Sequence, residues 1–581
     1  MPFLLCLDLG TSAAKAALLD LHGTVRARAD AAYPTRRAAD GTAEQDPADW
    51  ERAAHRVLRE LLAEVATGEV LALALTGQMQ DLVPVPARRA PVRSGTAQSR
   101  ERPAVLYSDT RAAAEAEELH RALCATGTGW EEVTGNRQDA TSCAAMHLRL
   151  QRIDPARLAD LEGLVFGPAG YLVARMGLGL WCDPTTASAT GLLDARTRDW
   201  SPAVARAAGI APGLLPALTR TAGQVVGRTG KRAAAQLDLP EGIPVVLAPG
   251  DAGATTCGIV GLAPGDSYAY LGTSGWLAMV QPSAPAGPVT GSSHHLALGG
   301  PTATVRPREE RSRAAQRWTT TAVTGTSTSR TAGEGAVLRI SALLAAGAAA
   351  DWARTAFLGG VGTDQADAQL MARERELGRA PTGLLALPSI LGERFPVRDA
   401  ELRGAVLGMG PRTRGIDLYA AVLEGVAHGL AHGLEEPGSE HAAGGDRART
   451  AVPGQEPVPL PVAGGGAASA PWLRILADVT GRPVRTVDGA DAALLGCALV
   501  AADALGLEHL LRPLGERTAA GTTAPDPSAA AAHAALRPAH RALYDAVAQM
   551  QAAARGTGSV PWSDVRRDRS ARSDGAGAGP R

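Results

Sequence analysis

The sequence predicts two α/β domains, one on each side of residue 250. In both halves, short apolar strands end in glycine and hydroxyl residues, and segments with helical periodicity follow them. The chain has 581 residues, more than a single domain usually contains. We therefore expect a first domain over residues 1–249, a second over 250–555 and a disordered tail over 556–581.

The composition excludes several classes of protein. Hydrophobic residues make up 45% and charged residues 20% of the chain, and the 58 basic side chains nearly equal the 59 acidic ones in number. This balance indicates a globular protein and implies neither a nucleic acid nor a membrane surface as partner. The six cysteines lack C-x-x-C spacing, and the apolar N-terminal run is stopped early by Asp8. We therefore expect a cytoplasmic protein without disulfides, signal peptide or membrane span.

The first domain opens with three predicted strands joined by tight turns. They cover Phe3–Leu9, 15–19 and 24–31, and their turns contain the glycines that a meander needs. Residues 48–66 repeat apolar side chains at helical spacing, and 70–76 form an apolar strand that ends in Gly-Gln.

The second half repeats the alternation of strand, polar turn and helix. Apolar strands are predicted at 244–248, Ser267–Leu271 and Leu460–Ala463, and each runs into a glycine-containing turn. Residues 416–434 and 471–480 have helical periodicity.

Four segments are rich in Arg, Ser, Thr, Pro and Gly and have little apolar periodicity. We interpret 87–102, 301–330 and 435–456 as surface insertions and 556–581 as a tail.

The first candidate site is the hairpin Gly10–Ser12, here called the first hairpin. Asp8 precedes it at a strand end, and Lys15, one of only two lysines in the chain, follows it. Backbone N–H groups of Gly10, Thr11 and Ser12 are able to bind an anion, and Asp8 is able to hold Mg²⁺ through water. An ordinary turn would explain the Gly, Thr and Ser equally well.

A second hairpin, Gly272–Ser274, repeats the Leu-Gly-Thr-Ser sequence of the first. Two domains that each present a Gly-Thr-Ser turn could hold one polyphosphate between them, with Gly272, Thr273 and Ser274 on one side. Neither turn has the spacing of a P-loop.

A run of three glycines, Gly464–Gly466, forms what we call the glycine loop. Gly465 and Gly466, with Ala467 and Ser469 after them, would let a flat ligand such as adenosine approach the backbone at a helix start. The alternative is a flexible linker.

Asp251 follows a strand and precedes a run of small residues. There it would accept a proton from an attacking hydroxyl, or it would serve only as a helix N-cap. Asp183 is predicted to be an N-cap in a polar turn, and His428 and His432 are interpreted as structural.

Seven short motifs occur in the order seen in the FGGY carbohydrate kinases, and the chain resembles this family from about residue 3 to about residue 550. Within the family it is most similar to the xylulokinases. The motifs are residues 8–15, 77–79, 108–111, 250–253, 271–274, 391–394 and 464–469.

The resemblance implies an actin-like, hexokinase-type (ribonuclease H-like) fold, in which two α/β domains close on ATP and a sugar. It implies phosphates and Mg²⁺ at the two hairpins, adenosine at the glycine loop, and Asp251 as the catalytic base. Closure would exclude water, and a homodimer is compatible with the family.

The resemblance also implies a sugar site at Gln78, Met79 and Asp109. Xylulokinases have Met-His after this Gly-Gln, whereas the present chain has Met79-Gln80, with Asp81 next to it. Gln80 is thus a candidate sugar contact, and the substrate is a ketose such as D-xylulose, or another sugar such as ribulose, gluconate or a deoxy sugar. A non-catalytic regulator built on the same fold is the alternative from another class.

Overall fold

The computed structural model describes residues 1–63, 67–87, 103–283, 292–300, 335–435, 458–507, 511–517 and 521–556. The predicted insertions and the tail fall almost wholly outside the described residues, so their interpretation stays a prediction.

The first sheet has six strands. In spatial order they are β3, β2, β1, β4, β6 and β5, with β1 at Phe3–Leu9, β2 at Ala13–Asp20, β3 at Val25–Ala32, β4 at Val70–Gly77, β5 at Gln224–Arg228 and β6 at Pro244–Leu247. β1, β4 and β6 run parallel to one another, whereas the other neighbours are antiparallel. The predicted N-terminal meander is confirmed.

The second sheet has seven strands in the spatial order β9, β10, β8, β7, β11, β12 and β13. Their bounds are β7 Ser267–Leu271, β8 Gly275–Gln281, β9 His294–Ala297, β10 Val337–Leu343, β11 Leu460–Ala463, β12 Val484–Thr486 and β13 Thr522–Thr523. Like the first sheet, it contains three consecutive antiparallel strands, β10-β8-β7, followed by two parallel ones, β11 and β12. The two halves of the chain therefore share one sheet topology.

The helices lie between and around these strands. Their bounds are α1 Pro47–Leu62, α2 Ala113–Cys124, α3 Trp130–Thr134, α4 Cys143–Ile153, α5 Pro168–Arg175, α6 Pro184–Ala189, α7 Pro202–Ala207, α8 Lys231–Leu237, α9 Asp251–Ile259, α10 Gly347–Leu358, α11 Thr363–Leu377, α12 Gly415–Glu435, α13 Ala470–Thr480, α14 Ala492–Ala504 and α15 Pro527–Gly556. The predicted helices are confirmed as α1, α12 and α13. Within the described ranges, none is long and apolar enough to cross a membrane.

Short elements complete the fold. Two- to five-residue strands lie at Arg36–Arg37, Ala43–Gln45, Val83–Pro86, Ala104–Val105, Leu161–Val165, Trp181–Cys182, Leu193–Asp194, Asp199–Trp200, Ala217–Leu218, Leu385–Leu387 and Ala405–Leu407, and 3₁₀ turns at Thr67–Glu69, Pro155–Leu158, Pro212–Leu214, Gly465–Ala468 and Leu514–Glu516.

Strand β1 is covered on both faces. Because side chains alternate along a strand, Leu5 and Leu7 pack into one core with α1, while Leu4 and Cys6 pack into another beneath α14. A helix from the last quarter of the chain thus lies on the first sheet.

Candidate active site

The ends of three parallel strands bring two carboxylates together. Asp8 at the end of β1 pairs in register with Thr76 of β4. Thr76 Oγ1 donates a hydrogen bond of 2.6 Å to the carbonyl of Pro249, which follows β6. Because carboxyl ends of parallel strands lie at one edge of a sheet, Asp8 and Asp251 share a cleft.

Asp8 carries a buried oxygen that needs a partner. Its Oδ1 has no hydrogen-bond partner among the described residues, and burial raises the pKa of Asp8 to about 6 despite the opposing charge of Lys15. A cation would satisfy this oxygen and favour the charged form. Within the described ranges, no cluster of three or more His, Cys, Asp or Glu forms a metal cage. The residues present therefore fit Mg²⁺ held largely by phosphate and water.

Asp251 is the first residue of α9, and Gly250 occupies the N-cap position. The alternative interpretation of Asp251 as an N-cap is therefore wrong. Burial and the charge of Asp8 raise the pKa of Asp251 to about 7; the Ala252 N–H lowers it and Asp183 raises it further. A carboxylate with this pKa is able to accept a proton near neutral pH.

Asp183 fixes the backbone in front of Asp251. Its Oδ1 caps α6 by accepting from the Thr186 N–H at 2.9 Å, as predicted, and also accepts from the Gly250 N–H at 3.0 Å. A Cβ at Gly250 would lie 2.3 Å from Met79 Sδ, so any larger residue there would displace the Met79 side chain. The sequence did not reveal the bond from Asp183 to Gly250.

Gln78 joins the end of β4 to the first hairpin. Its Nε2 donates to Gln45 Oε1 at 2.9 Å, and Gln45 Nε2 donates to the Thr11 carbonyl at 2.7 Å. Gln78 Oε1 is buried and has no partner among the described residues. Gln45 was not singled out from the sequence because its role depends on contacts with distant residues.

Gln80 has a left-handed backbone, with φ of 66°. Its Nε2 donates to the carbonyl and Oγ1 of Thr141 at 2.7 and 3.1 Å. Residues 78–81, which we call the β4 loop, therefore depend on a neighbouring segment for their shape.

Asp81 is fully buried. One carboxylate oxygen accepts the Tyr107 N–H at 3.1 Å, while Oδ2 has no partner among the described residues. Burial raises the pKa of Asp81 well above its ordinary range; the Tyr107 N–H lowers it and the charge of Asp251 raises it further.

Asp109 is also buried, but both of its carboxylate oxygens have partners. They accept from the Ala43 N–H at 2.9 Å and from the N–H and side chain of Arg111 at about 3.0 Å. Any sugar contact of Asp109 would add to these bonds.

The two hairpins have the same position in their sheets. The first follows β1, and the Gly10 N–H donates a hydrogen bond of 3.1 Å to the Ala13 carbonyl. The second follows β7, and the Gly272 N–H donates one of 3.0 Å to the Ser274 carbonyl. Thr11 Oγ1 lies 3.3 Å from Tyr107 Oη, and Lys15 is exposed on β2. The Gly272 carbonyl of the second hairpin also accepts a hydrogen bond of 2.7 Å from the N–H of Gly347, at the start of α10.

The glycine loop lies beside the second hairpin, because β11 is the parallel neighbour of β7. A Cβ at Gly464 would lie 2.5 Å from the Leu271 carbonyl oxygen, and φ there is 95°, whereas nothing lies within 4 Å of a Cβ at Gly465. Ala467 is buried. Ser469 caps α13 and donates to Asp367 Oδ1 at 2.8 Å.

Two family models match the chain. The N-terminal domain of the FGGY family of carbohydrate kinases matches residues 3–258, and its C-terminal domain matches residues 311–505. The chain belongs to the FGGY family of carbohydrate kinases. It is therefore a phosphotransferase that acts on a sugar, and FGGY kinases use ATP.

Within that family, the chain is similar to xylulose kinases. It is 27% identical to the xylulose kinase of Escherichia coli (strain K12) over 94% of this chain and 99% of that protein. It is 24% identical to the xylulose kinase of Bacillus subtilis (strain 168) over 89% of this chain and 91% of that protein.

Solved structures confirm the predicted fold class. The xylulose kinase of Rhodospirillum rubrum matches with a TM-score of 0.74 and 24% identity over 94% of this chain and 99% of that one. The gluconate kinase of Lactobacillus acidophilus matches with a TM-score of 0.73 and 20% identity over 94% of this chain and 98% of that one.

Proposed function

We propose that this kinase transfers the γ-phosphate of ATP to a primary hydroxyl of a neutral ketose of the D-xylulose type. The observation that carries the proposal is Asp251, a buried carboxylate of near-neutral pKa that lies close to Asp8. The similarity to xylulose kinases supports the substrate class.

Asp251 acts as general base in this proposal. It accepts the proton of the sugar hydroxyl while the hydroxyl oxygen bonds to the γ-phosphorus and the bond to the bridging oxygen of ADP breaks. Asp183 positions Asp251 by holding the Gly250 N–H. Backbone N–H groups of the two hairpins spread the charge of the transferring phosphoryl group.

Asp8, whose Oδ1 has no hydrogen-bond partner among the described residues, would hold Mg²⁺ together with the phosphates and Thr11 of the first hairpin. When bound, the ion neutralises negative charge on the phosphates. Ser12 and Lys15 help to bind the phosphates at the same hairpin. The glycine loop, with Ala467 and Ser469, binds adenosine.

The sugar site is formed by the β4 loop and Asp109. Gln78 Oε1 and Asp81 Oδ2 are acceptors without partners among the described residues, so they suit a ligand that donates hydrogen bonds. Asp8 and Asp251, with pKa values of about 6 and about 7, carry negative charge near neutral pH and would repel the carboxylate of a sugar acid, because like charges in a poorly solvated site are strongly unfavourable. We therefore favour a neutral ketose over gluconate.

Three broader predictions belong to this proposal. The domains divide at residues 249 and 250, with the second ending near 555. The enzyme works in the cytoplasm, where ATP is abundant, and its described cysteines are free thiols, as a reducing compartment requires. It also forms a homodimer, which light scattering would measure.

The substrate is tested by measuring ADP release from Mg·ATP with D-xylulose, D-ribulose, gluconate and glycerol. We expect the neutral ketoses to raise turnover at least tenfold over the rate without sugar and gluconate to raise it little. Faster turnover with gluconate than with either ketose would overturn the substrate assignment.

An isosteric variant shows whether Asp81 contributes to sugar binding. Asp81→Asn keeps the size of the side chain and exchanges one carboxyl oxygen for an amide group that only donates, so KM for the ketose should rise severalfold. An unchanged KM would remove Asp81 from the sugar site.

A further inference from the structure

A series of polar contacts connects the second half of the chain to the β4 loop. Arg398 Nη2 forms a salt bridge with Asp139 Oδ2 across 259 positions of sequence. Asp139 Oδ1 accepts from both the N–H and Oγ1 of Thr141, at 2.9 and 2.7 Å. Thr141 in turn accepts two hydrogen bonds from Gln80 Nε2. Arg398, Asp139, Thr141 and Gln80 are called the relay below.

Each member of the relay is constrained by the next. Burial raises the pKa of Asp139, but its bonds from Thr141 and the charges of Arg398 and His294 outweigh burial, so the net pKa is lowered. Asp139 is therefore a carboxylate that accepts hydrogen bonds from Thr141 at one oxygen and from Arg398 at the other. Because Thr141 Oγ1 donates to Asp139, its lone pairs face Gln80 Nε2.

Gln80 needs this support because its backbone is strained. A φ of 66° is unusual for a residue that is not glycine, and the surrounding structure must hold it. The two bonds from its amide to Thr141 do so and also fix the direction of the side chain.

The backbone next to the relay is held independently. Asn136 Nδ2 donates to the His295 carbonyl at 2.8 Å, and the His295 N–H donates to Asn136 Oδ1 at 2.7 Å. Loss of Arg398 would therefore loosen the Asp139–Thr141 turn without separating the two halves of the chain.

We propose that Arg398 is a positioning residue for sugar binding, which orients the Gln80 amide through Asp139 and Thr141. This inference rests on the proposed function, because it requires the β4 loop to contact the sugar. Substrate preference would then depend on a side chain outside the loop and in the other half of the molecule.

The opposing interpretation is an ion pair that contributes only to stability. Partly exposed ion pairs usually contribute little, and this one is 30% and 41% exposed at its two side chains. A double-mutant cycle separates the two interpretations, since it measures whether Arg398 acts through Gln80.

The variants are Arg398→Gln, Arg398→Lys, Gln80→Ala and the double variant Arg398→Gln with Gln80→Ala. Arg403→Gln is the matched control, because Arg403 lies in the same segment and its guanidinium donates to the backbone carbonyls of Ala400 and Leu402. We expect Arg398→Gln to raise KM for the sugar about threefold and to leave KM for ATP unchanged. Arg398→Lys should recover most of the loss, and Arg398→Gln should have no further effect once Gln80 is alanine.

Hydrogen exchange provides a readout that does not need turnover. Arg398→Gln should speed exchange at the Thr141 N–H, which bonds to Asp139, by about threefold, and Arg403→Gln should not. Unchanged exchange at Thr141 in Arg398→Gln would overturn the proposed role of the relay. So would a rise in sugar KM from Arg398→Gln that is the same in the wild type and in Gln80→Ala. If the wild type phosphorylated no sugar, the proposed function would fail. Faster exchange at Thr141 in Arg398→Gln would then show that the contacts exist but have no role in sugar binding.

Discussion

Asp251 derives its chemistry from its neighbours at the residue scale. A carboxylate in water has a pKa near 4 and is a weak base at neutral pH. Here burial and the charge of Asp8 raise the pKa to about 7. The same cleft therefore supplies a base for the sugar hydroxyl and a carboxylate, Asp8, for a cation.

The pH dependence of catalysis follows from this environment. Asp251 must be deprotonated to accept a proton, so kcat/KM should rise about tenfold per unit at low pH and level off above about pH 7. The measurement is kcat/KM for the ketose between pH 5 and pH 9. A plateau that extended down to pH 5 would show that no group of this pKa controls the reaction.

The sequence singled out the candidate catalytic residues but not the residues that hold them in place. Asp8 and Asp251 stand at strand ends beside glycine, a local pattern that the sequence displays. Gln45 and Arg398 act through partners far away in sequence. Nothing in their local sequence distinguishes them from surface residues, so only the folded chain reveals them.

At the scale of elements, α9 and α14 pack so closely that their backbones touch. A Cβ at Gly258 would lie 1.9 Å from the Ala492 carbonyl oxygen, and one at Gly496 would lie 1.9 Å from the Ala254 carbonyl oxygen. Glycine is required at both positions because no side chain fits. Since α9 carries Asp251, this contact positions the base.

Gly496→Ala should lower the free energy of unfolding by about 1–3 kcal/mol, because overpacking forces the two helices apart. It should also lower kcat by displacing α9. Urea unfolding with a kinetic assay measures both effects. Gly410→Ala is the control, because nothing lies within 4 Å of a Cβ there. A fully stable and active Gly496→Ala would contradict the packing described here.

A second pair of helices encloses a histidine cluster. α12 carries His428 and His432, and α15 carries His533 and His540, all buried. His432 Nε2 lies 3.1 Å from His540 Nδ1, and His533 Nδ1 lies 3.4 Å from His428 Nε2. Burial, with the charge of His540, lowers the pKa of His432 to about 3, and burial lowers that of His540 to about 4.

The cluster predicts acid-sensitive stability. Unfolded histidines titrate near pH 6.5, whereas these remain neutral in the folded protein down to about pH 4. Between these values the unfolded state binds more protons, so the free energy of unfolding falls as the pH drops. His432→Asn should make this dependence shallower by about one proton, measured by urea unfolding at several pH values. The exposed His22→Asn is the control, and an unchanged slope for His432→Asn would refute the account.

At the scale of the whole molecule, the two sheets repeat one topology. Hydrophobic runs and glycine turns predicted β1 to β4, β6, β7 and β11, because each of these signals is local. The sequence predicted neither the antiparallel edge strand β5 nor the packing of α14 against the first sheet. These depend on which distant segments pair, and strand order is a property of the chain as a whole.

The central claim is that Asp251 is the base of a sugar kinase. The most direct test is single-turnover phosphorylation of the ketose by Asp251→Asn, with ATP binding measured on the same sample. We predict a loss of at least about a thousandfold in the rate of phosphoryl transfer, with ATP binding within twofold of the wild type. Near wild-type phosphoryl transfer by Asp251→Asn would contradict the account.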